Sequence, residues 1–522
     1  MSKTTTISEI LRSRAAEQGE RPAYVFLSYG ETGVAEERLT VSELDTRARA
    51  IAASLQSAGA AGERVALLLP PGPDFVASFF GCLYAGAVAV PALPPRRRGG
   101  DPRLSAICRD CRPRVALAAA DQLAVLESAA AEIPELAAAI RMAPATEGAE
   151  GWRRPELGPE ALAFLQYTSG STSSPKGVMV SHGNLLHNEE LIRRAFGQSA
   201  GSVVLGWLPL YHDMGLIGTV LQPLYTGAVC YLMTPGAFLQ RPARWLEAVS
   251  RYRATTSGGP NFAYELCVRK VGKAEREGLD LSSWEVAFNG AEPVRAATLR
   301  RFTEAFEPCG FRASAFRPCY GLAEATLLVS GWRPEGEPRV LALDAEALER
   351  HEVADAEDAG RSRELVGCGA AMQTVLAVDP ESGEPCPPGR VGEVWVAGPS
   401  VAQGYWERPQ ETAAAFGARL TDGTGPFLRT GDLGFVSEGE VFLTGRLKDL
   451  IILRGRNHYP QDLELTAERA HAGLRAGGGA AFAADPIGEE IGEERLVIVH
   501  EVDRHAVARI GGEGIEEIAA AV

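Results

Sequence analysis

The sequence predicts an α/β protein whose parallel sheets are covered by helices, and three neighbouring segments carry this prediction. Residues 64–70 form a short apolar run that ends in prolines, which is typical of a buried parallel strand. Residues 74–85 carry apolar side chains such as Phe75 and Phe79 at helical spacing, and residues 87–92 form the next strand. This strand–helix–strand order indicates parallel sheets, which bind ligands in the loops at the carboxyl ends of their strands.

Length and composition are those of an ordinary globular protein with an acidic balance of charge. A chain of 522 residues is expected to form three to four units at about 150 residues per domain. Hydrophobic residues make up 46% and charged residues 23%, which excludes wholesale disorder and fibrous repeats. The 52 basic and 67 acidic residues give a net charge of −15, which argues against sequence-independent binding of nucleic acid. An anionic substrate would therefore need a local positive site.

Three further features predict a cytoplasmic protein. The nine cysteines are scattered along the chain, which is typical of free thiols in a reducing compartment. Residues 1–21 are polar and contain no apolar segment of the kind found in signal peptides. The best apolar run, residues 79–93, is shorter than the roughly 18 residues of a membrane span and contains Gly81, Gly86 and Pro91. We therefore expect no stable insertion into a membrane.

Residues 167–178 have the composition of a phosphate-binding loop. Six small hydroxyl residues surround Gly170, and Lys176 follows closely. Small side chains let backbone amides and hydroxyls approach an oxyanion, and a lysine adds a positive charge. The segment is not a Walker loop, because Pro175 precedes the lysine and Gly177 follows it. The alternative interpretation is a flexible, serine-rich loop without a ligand.

This loop resembles the phosphate loop of the adenylate-forming superfamily, which includes acyl-CoA synthetases, fatty acyl-AMP ligases, luciferases and peptide-synthetase adenylation domains. Further segments match the family's motifs in the family's order, namely residues 207–218, 288–293, 320–326, 429–433 and 445–449. The resemblance implies a large AMP-binding region, residues 1–444, of two stacked α/β subdomains and a small β-rich one. A small α+β lid domain would follow in residues 445–522 and would be incomplete.

The resemblance also implies which residues bind ATP and AMP. The phosphate contacts would be Thr168, Ser169, Gly170, Ser171 and Thr172. The adenine contacts would be Gly290, Ala291, Glu292, Tyr320, Gly321, Leu322 and Ala323. Thr326 would lie near the α-phosphate, Asp432 would accept both ribose hydroxyls, and Arg446 would contact ribose or phosphate. The alternative for Tyr320 is an ordinary core tyrosine, and an aspartate in a turn is often only a turn residue.

By the same resemblance, catalysis is assigned to five side chains, Lys176, Thr168, Glu324, Arg446 and His212. Glu324 would ligate a Mg²⁺ that bridges the phosphates of ATP, which suits a hard carboxylate oxygen; the alternative is a surface ion pair. His212 would border the acyl group together with Asp213, Met214 and Gly215. It would not act as a general base, because a fatty acid is already ionised at pH 7.

Three segments favour the fatty acyl-AMP ligase branch of the superfamily. Residues 207–218 and 81–91 resemble that branch, and so does an acidic segment of weak periodicity at about residues 331–365. In the branch, this inserted segment is thought to restrain the C-terminal domain, so that the acyl group passes to an acyl carrier protein and not to coenzyme A. The alternatives are a fatty acyl-CoA synthetase, an amino-acid adenylation domain that uses Asp213, and a protein that binds adenylates without turnover.

The C-terminal region carries two further expectations. Lys448 and Asp449 would form the hinge about which the lid domain rotates. Lys448 is also the last lysine, whereas the superfamily places a catalytic lysine late in the lid domain. Ile515, Ile518 and Val522 share one helical face that stops without a capping signal, so we expect the chain to end inside an element.

Overall fold

Three large sheets organise the chain in the computed structural model, which describes residues 5–31, 33–95, 101–168, 175–332, 336–453, 456–471, 473–484 and 495–502, together with Ile518, Ala521 and Val522. The strands, in chain order, are β1 (Pro22–Gly30), β2 (Gly33–Thr40), β3 (Arg64–Leu68), β4 (Val88–Pro91), β5 (Val115–Ala118), β6 (Ile140–Met142), β7 (Leu162–Thr168), β8 (Lys176–Ser181), β9 (Val203–Gly206), β10 (Val229–Met233), β11 (Thr256–Gly259), β12 (Val286–Asn289), β13 (Phe316–Pro318), β14 (Tyr320–Gly321), β15 (Leu328–Trp332), β16 (Val340–Asp344), β17 (Ser362–Val366), β18 (Ala370–Ala371), β19 (Thr374–Val378), β20 (Gly392–Ala397), β21 (Leu428–Ser437), β22 (Glu440–Arg446), β23 (Ile451–Leu453), β24 (Arg456–His458), β25 (Leu474–Ala484) and β26 (Arg495–Val502).

The helices alternate with these strands over the first three hundred residues. In chain order they are α1 (Ile7–Gln18), α2 (Val41–Ser57), α3 (Pro73–Ala85), α4 (Pro102–Cys111), α5 (Leu123–Ala130), α6 (Pro134–Ala138), α7 (His182–Phe196), α8 (Asp213–Leu216), α9 (Gln222–Thr226), α10 (Pro235–Gln240), α11 (Ala243–Tyr252), α12 (Asn261–Lys270), α13 (Lys273–Arg276), α14 (Ala296–Phe306), α15 (Ala345–Glu349), α16 (Pro409–Phe416) and α17 (Pro460–Ala470).

The strands between Pro22 and Pro318 form two largely parallel sheets. The first has the order β13-β12-β11-β9-β10-β1-β2, and only β1 and β2 are antiparallel. The second has the order β6-β5-β3-β4-β7-β8, and only β7 and β8 are antiparallel. The strand, helix and strand predicted at residues 64–92 are β3, α3 and β4 of the second sheet, so the predicted α/β order is confirmed.

One hydrophobic core joins these two sheets. It contains Tyr24 of β1 in the first sheet, Phe164 of β7 in the second, and Phe79 of α3 between them. The rings of Phe79 and Phe164 lie 5.8 Å apart in an edge-to-face arrangement, which aromatic pairs prefer. This shared core is what the predicted stacking of two α/β units requires.

The third sheet is antiparallel and has the order β14-β15-β18-β22-β21-β20-β19. It corresponds to the β-rich unit predicted from the resemblance. The predicted boundary between residues 444 and 445 lies inside β22, which continues to Arg446. The ribbon β16–β17, with α15 between its strands, forms the inserted acidic segment. That segment therefore has secondary structure of its own, although its sequence periodicity is weak.

The motifs lie where parallel strands end. β7 ends at Thr168, at the start of the predicted phosphate loop, and β12 ends at Asn289, just before the predicted adenine turn. β13 ends two residues before Tyr320. All nine cysteines are free thiols. In the part of the chain that the structure describes, no helix is both long and apolar enough to cross a membrane.

Glu189 on α7 is fully buried, which sets up a test of stability. Burial raises the pKa of its carboxyl well above the ordinary value. The folded protein therefore binds a proton at a pH where the unfolded chain has released it, and stability falls as pH rises above the unfolded pKa. Because glutamine cannot ionise, Glu189→Gln should stabilise the protein at pH 8 by about 1 kcal/mol, which raises the melting temperature of a chain of this length by about 1 °C. The stability gained by Glu189→Gln should become smaller as the pH is lowered towards 5.

The neighbouring glutamate gives a control of opposite sign. Glu190 accepts hydrogen bonds from Arg193 Nε and Nη2 at 2.7 and 2.8 Å, and these lower the pKa of its carboxyl. The ionised Glu190 carboxylate therefore stabilises the folded protein at pH values above the pKa that this group has in the unfolded chain. Glu190→Gln should slightly destabilise the protein at pH 8. Thermal unfolding from pH 5 to pH 8 measures both variants. A Glu189→Gln protein that is less stable than the wild type at pH 8 would contradict the prediction.

Candidate active site

The predicted phosphate loop connects the two strands of an antiparallel hairpin. Thr168, the last residue of β7, lies opposite Lys176, the first residue of β8. Ser169, Gly170, Ser171 and Thr172, the other predicted phosphate contacts, lie outside the described residues. Lys176 Nζ is 2.5 Å from Glu411 Oε2 of α16 and 4.9 Å from the ring centroid of Tyr405. The positive charge predicted for this site is thus fixed at the base of the hairpin.

A later segment is hydrogen-bonded to the outer edge of β8. The amide of Trp406 donates to Gly177 O at 2.8 Å, and the amide of Met179 donates to Gly404 O at 2.9 Å. Because this pairing continues the sheet by one short extended segment, it also fixes the position of Tyr405, which lies between the two bonded residues. Sequence reasoning missed Tyr405, since nothing local in residues 404–412 indicates a contact with the hairpin.

Tyr405 connects the hairpin to Glu324. Its hydroxyl donates to Glu324 Oε1 at 2.9 Å. Burial raises the pKa of the Glu324 carboxyl, and the Asp213 and Asp432 carboxylates raise it further. Glu324 therefore lies in a region of excess negative charge. This arrangement differs from the surface ion pair that was the alternative interpretation of Glu324.

A divalent cation suits this excess of negative charge. Among the described residues, no group of three or more acidic, histidine or cysteine side chains could hold a metal ion without other ligands. Mg²⁺ is usually bound by one or two protein carboxylates together with substrate phosphates. A single half-buried carboxylate connected to the phosphate hairpin through Tyr405 fits that mode of binding.

Thr326 has a strained backbone. Its φ of 69° and ψ of −64° are rare for a β-branched residue, and Leu327 N donates to Ala325 O across it at 2.9 Å, which closes a γ-turn. The Thr326 side chain is buried, and its hydroxyl donates to Ser400 O at 2.6 Å. The hydroxyl predicted to lie near the α-phosphate is therefore already engaged. Strain of this kind is concentrated at functional sites.

The predicted adenine turn is built for close approach of the backbone. A Cβ at Gly290 would lie 2.9 Å from Cys319 O, and Ala291 has a φ of 67°. Glu292 is exposed, and its Oε1 accepts a hydrogen bond from the amide of Phe262 at 2.6 Å. The turn thus leaves peptide groups, and not bulky side chains, at the end of β12.

The second predicted adenine segment begins with a buried tyrosine that has a polar partner. Tyr320 donates from its hydroxyl to Asp432 Oδ2 at 2.7 Å, so it is not merely a core side chain. A Cβ at Gly321 would lie 1.7 Å from Leu327 O, which leaves room only for glycine. The amide of Leu322 also donates to Leu327 O, at 3.0 Å. Ala323, the next residue, is buried.

Asp432 and Arg446 face each other on neighbouring strands. They are directly opposite in the β21–β22 pairing, and Arg446 Nε lies 3.2 Å from Asp432 Oδ1. Burial raises the pKa of the Asp432 carboxyl, and the hydrogen bonds from Tyr320 and Arg446 oppose that rise. The structure therefore brings together the three side chains that were predicted separately to contact adenine and ribose.

His212 and Asp213 form a hydrogen-bonded pair at the start of α8. His212 Nδ1 is 2.6 Å from Asp213 Oδ1, which also accepts from the amide of Met214 at 2.7 Å. Partial removal of the His212 ring from water lowers its pKa, but the Asp213 carboxylate more than offsets this and the pKa is raised overall. A Cβ at Gly215 would lie 2.1 Å from Pro209 O, so the glycine lets the chain turn tightly into α8. The His212 side chain is 53% exposed and is not a core histidine.

The inserted segment contacts residues on both sides of the predicted hinge, which lies in a short 3-10 turn, Leu447–Asp449. Arg363 of β17 donates from Nη2 to Thr444 O at 2.6 Å, before the hinge. After the hinge, its Nε is 3.0 Å from Asp462 Oδ1, and its guanidinium lies 4.5 Å from the centroid of the Tyr459 ring. One arginine of the insertion thus connects both parts of the chain.

Glu349 of α15 makes a second connection beyond the hinge. Its carboxylate lies 2.6 Å from Arg456 Nη2 and 3.2 Å from His458 Nδ1. On its other side, the insertion is attached to the large region, where Arg300 of α14 pairs with Glu364 at 2.7 Å. The ion pairs of Glu349 and Arg363 together are called the latch below.

The fold and the site are those of the AMP-binding enzymes. The family model of these enzymes matches residues 11–406 of the chain. The chain is 48% identical over 513 residues to the medium-chain-fatty-acid–[acyl-carrier-protein] ligase JamA of Moorena producens (strain JHB), with 96% of this chain and 86% of JamA covered. It is 37% identical to the corresponding ligase TtuA of Teredinibacter turnerae, with 92% of this chain and 82% of TtuA covered.

A solved structure agrees with these two sequences. The fatty acyl-adenylate ligase from L. pneumophila, in complex with acyl adenylate and pyrophosphate, superimposes with a TM-score of 0.83 at 41% identity. The alignment covers 100% of this chain and 90% of that one. The chain therefore belongs to the AMP-binding enzyme family and, within it, to the fatty acyl-AMP ligases.

Proposed function

We propose that the protein activates a medium- to long-chain fatty acid with ATP and passes the acyl group to an acyl carrier protein. In the first step, a carboxylate oxygen attacks the α-phosphorus, the bond to the β-phosphate breaks, and acyl-AMP and pyrophosphate form. In the second step, the phosphopantetheine thiol of the carrier attacks the acyl carbonyl and AMP leaves. The observation that carries this proposal is the connection of Lys176, Tyr405 and Glu324 at the hairpin where β7 ends.

The residue roles follow from this arrangement. Lys176 and Thr168 would hold the triphosphate together with residues 169–172. Glu324 would hold Mg²⁺ jointly with phosphate oxygens, and the ion would neutralise charge on the leaving pyrophosphate. The chain itself mainly aligns the two reactants, as in other phosphoryl transfers. Lys448 and Asp449 would form the hinge that turns between the two half-reactions.

The nucleoside would lie between the adenine turn and Tyr320. Asp432 now accepts hydrogen bonds from Tyr320 and Arg446, and ribose hydroxyls would replace one or both of these donors. A carboxylate is well suited to this exchange because it can accept several hydrogen bonds at once.

Asp432→Asn should weaken nucleotide binding without abolishing the chemistry. An amide keeps the size of the side chain but loses the charge and one acceptor, so we expect ATP to bind about tenfold more weakly, consistent with the roughly 1.5–3 kcal/mol of a charge-assisted hydrogen bond. Calorimetric titration with ATP and with AMP measures this effect. The rate at saturating ATP should change far less than the dissociation constant. If both nucleotides bind unchanged, Asp432 is not a ribose ligand.

We propose a fatty acid, and not an amino acid, as the substrate. An amino-acid substrate would need a free carboxylate to pair with its ammonium group. Asp213 could provide one, but its Oδ1 is shared between His212 and the amide of Met214. We therefore assign His212, Asp213, Met214 and Gly215 to the wall of the acyl site and propose an uncharged chain as the occupant.

The latch favours a carrier protein over coenzyme A as acceptor. Because Glu349 and Arg363 connect the insertion to residues beyond the hinge, they oppose the rotation that precedes thiol transfer, and we propose that docking of a carrier protein overcomes this restraint whereas free coenzyme A does not. An acyl-CoA synthetase remains the second candidate function.

The decisive experiment combines two assays. Pyrophosphate exchange into ATP is measured with saturated fatty acids of increasing length, with amino acids and with acetate. The acyl group is then offered to coenzyme A and to a holo acyl carrier protein. We expect exchange only with medium- and long-chain fatty acids, and acylation mainly of the carrier. Exchange with an amino acid, or abundant acyl-CoA, would replace this proposal by the corresponding alternative.

A further inference from the structure

A chain of side-chain contacts, called the circuit below, runs beside the phosphate hairpin through Lys176, Glu411, Arg408, Asp110 and Tyr167. It includes residues that the proposed function does not use. Glu411 contacts Lys176 at 2.5 Å with Oε2 and Arg408 at 3.1 Å with Oε1. Arg408 also contacts Asp110 Oδ1 of α4 at 3.1 Å, and Asp110 Oδ2 accepts from the hydroxyl of Tyr167 at 2.6 Å. The circuit thus begins on β8, passes through α16 and α4, and returns to β7.

The two ends of this circuit differ in exposure to solvent. The side chains of Lys176 and Glu411 are 28% and 40% exposed, whereas those of Arg408 and Asp110 are 23% and 13% exposed. Solvent screens an exposed ion pair more than a sheltered one. The contact between Lys176 and Glu411 is therefore weakened more by solvent than the contact between Arg408 and Asp110, so it can open while Arg408 remains held by Asp110.

We propose that Glu411 is a positioning residue that holds the Lys176 ammonium while the phosphate hairpin is empty and releases it to the phosphates of ATP. Arg408 then retains the Glu411 carboxylate and keeps it from repelling the triphosphate. This inference rests on the proposed function, in which Lys176 binds phosphate. It adds that the affinity for ATP and pyrophosphate is set by a competition inside the protein.

Opposite effects of two substitutions test this competition. Glu411→Gln removes both the competitor for Lys176 and a negative charge near the phosphates, so ATP and pyrophosphate should bind about three- to tenfold more tightly. Arg408→Gln leaves the Glu411 carboxylate with Lys176 alone, so both should bind about three- to tenfold more weakly. The KM for the fatty acid should stay within twofold in both variants. A merely structural role would weaken ATP binding in both variants.

The measurements are calorimetric titration with ATP, inhibition by pyrophosphate, and the melting temperature of each variant. In a Lys176→Met background, Glu411→Gln should no longer tighten ATP binding by more than twofold, and this comparison does not depend on Arg408→Gln being folded. The inference is overturned if Glu411→Gln weakens ATP binding or leaves it unchanged, or if it acts equally without Lys176. Failure of the proposed function would appear differently, as absence of pyrophosphate exchange with every fatty acid in the wild type.

Discussion

Replacing Glu324 with glutamine should slow acyl-AMP formation by about 10²–10³-fold, the usual cost of removing one group that stabilises charge in the transition state. The Tyr405 hydroxyl fixes the orientation of the carboxylate at 2.9 Å, and the amide would keep that contact while losing the charge. We expect ATP binding to change much less, because the hairpin and the ribose contacts remain. Single-turnover formation of acyl-AMP at saturating ATP and Mg²⁺ measures the effect.

The pH profile provides an independent readout of the same residue. Since burial raises the pKa of Glu324, its ionised form is lost at a higher pH than for an ordinary carboxylate. The kcat/KM for ATP of the wild type, which reports the enzyme before the cation binds, should therefore fall on the acidic side through that raised pKa, and Glu324→Gln should lack this limb. Glu127→Gln, which removes only a surface pair with Arg141, is the matched control and should behave like the wild type. A Glu324→Gln rate within tenfold of the wild type would refute the assignment.

Parts of the site could be predicted because their signal is local. We could predict β3 and β4 from their apolar runs and α3 from its helical spacing, each from its own segment alone. The small hydroxyl residues at the hairpin and the order of the motifs were equally visible in the sequence. They identified Asp432, Tyr320 and Arg446 separately, and the structure shows that Tyr320 and Arg446 both donate hydrogen bonds to Asp432.

Other parts depend on pairing between distant segments. Tyr405 reaches Glu324 only because residues 403–406 extend the sheet at the edge of β8, more than two hundred residues later in the chain. The γ-turn at Thr326 lies beside close packing of Gly321 against Leu327 O, and no periodicity in the sequence indicates either feature. The inserted segment had weak periodicity because β16 and β17 form a two-stranded ribbon with many half-exposed residues.

Opening the latch should change the thiol that receives the acyl group. Arg363→Met removes the contacts with Thr444, Asp462 and Tyr459, and Glu349→Gln removes the charge opposite Arg456. These contacts are partly exposed, so together they contribute about 1–2 kcal/mol. That free energy corresponds to an increase of about five- to thirtyfold in acyl-CoA formed by the double variant. The ratio of acyl-CoA to acylated carrier protein is measured with both acceptors present.

The control for the latch is a contact of the same insertion that does not reach beyond the hinge. Arg300 of α14 pairs with Glu364, next to Arg363, but it lies in the large region. Arg300→Met should therefore loosen the insertion to a similar extent without increasing acyl-CoA, and acyl-AMP formation should stay within twofold of the wild type in both variants. If Arg300→Met raises acyl-CoA as much as the latch variant does, loss of order in the insertion explains the effect. If neither variant raises acyl-CoA formation, the discrimination against coenzyme A does not reside in the latch, because the ion pairs of both Glu349 and Arg363 are then removed.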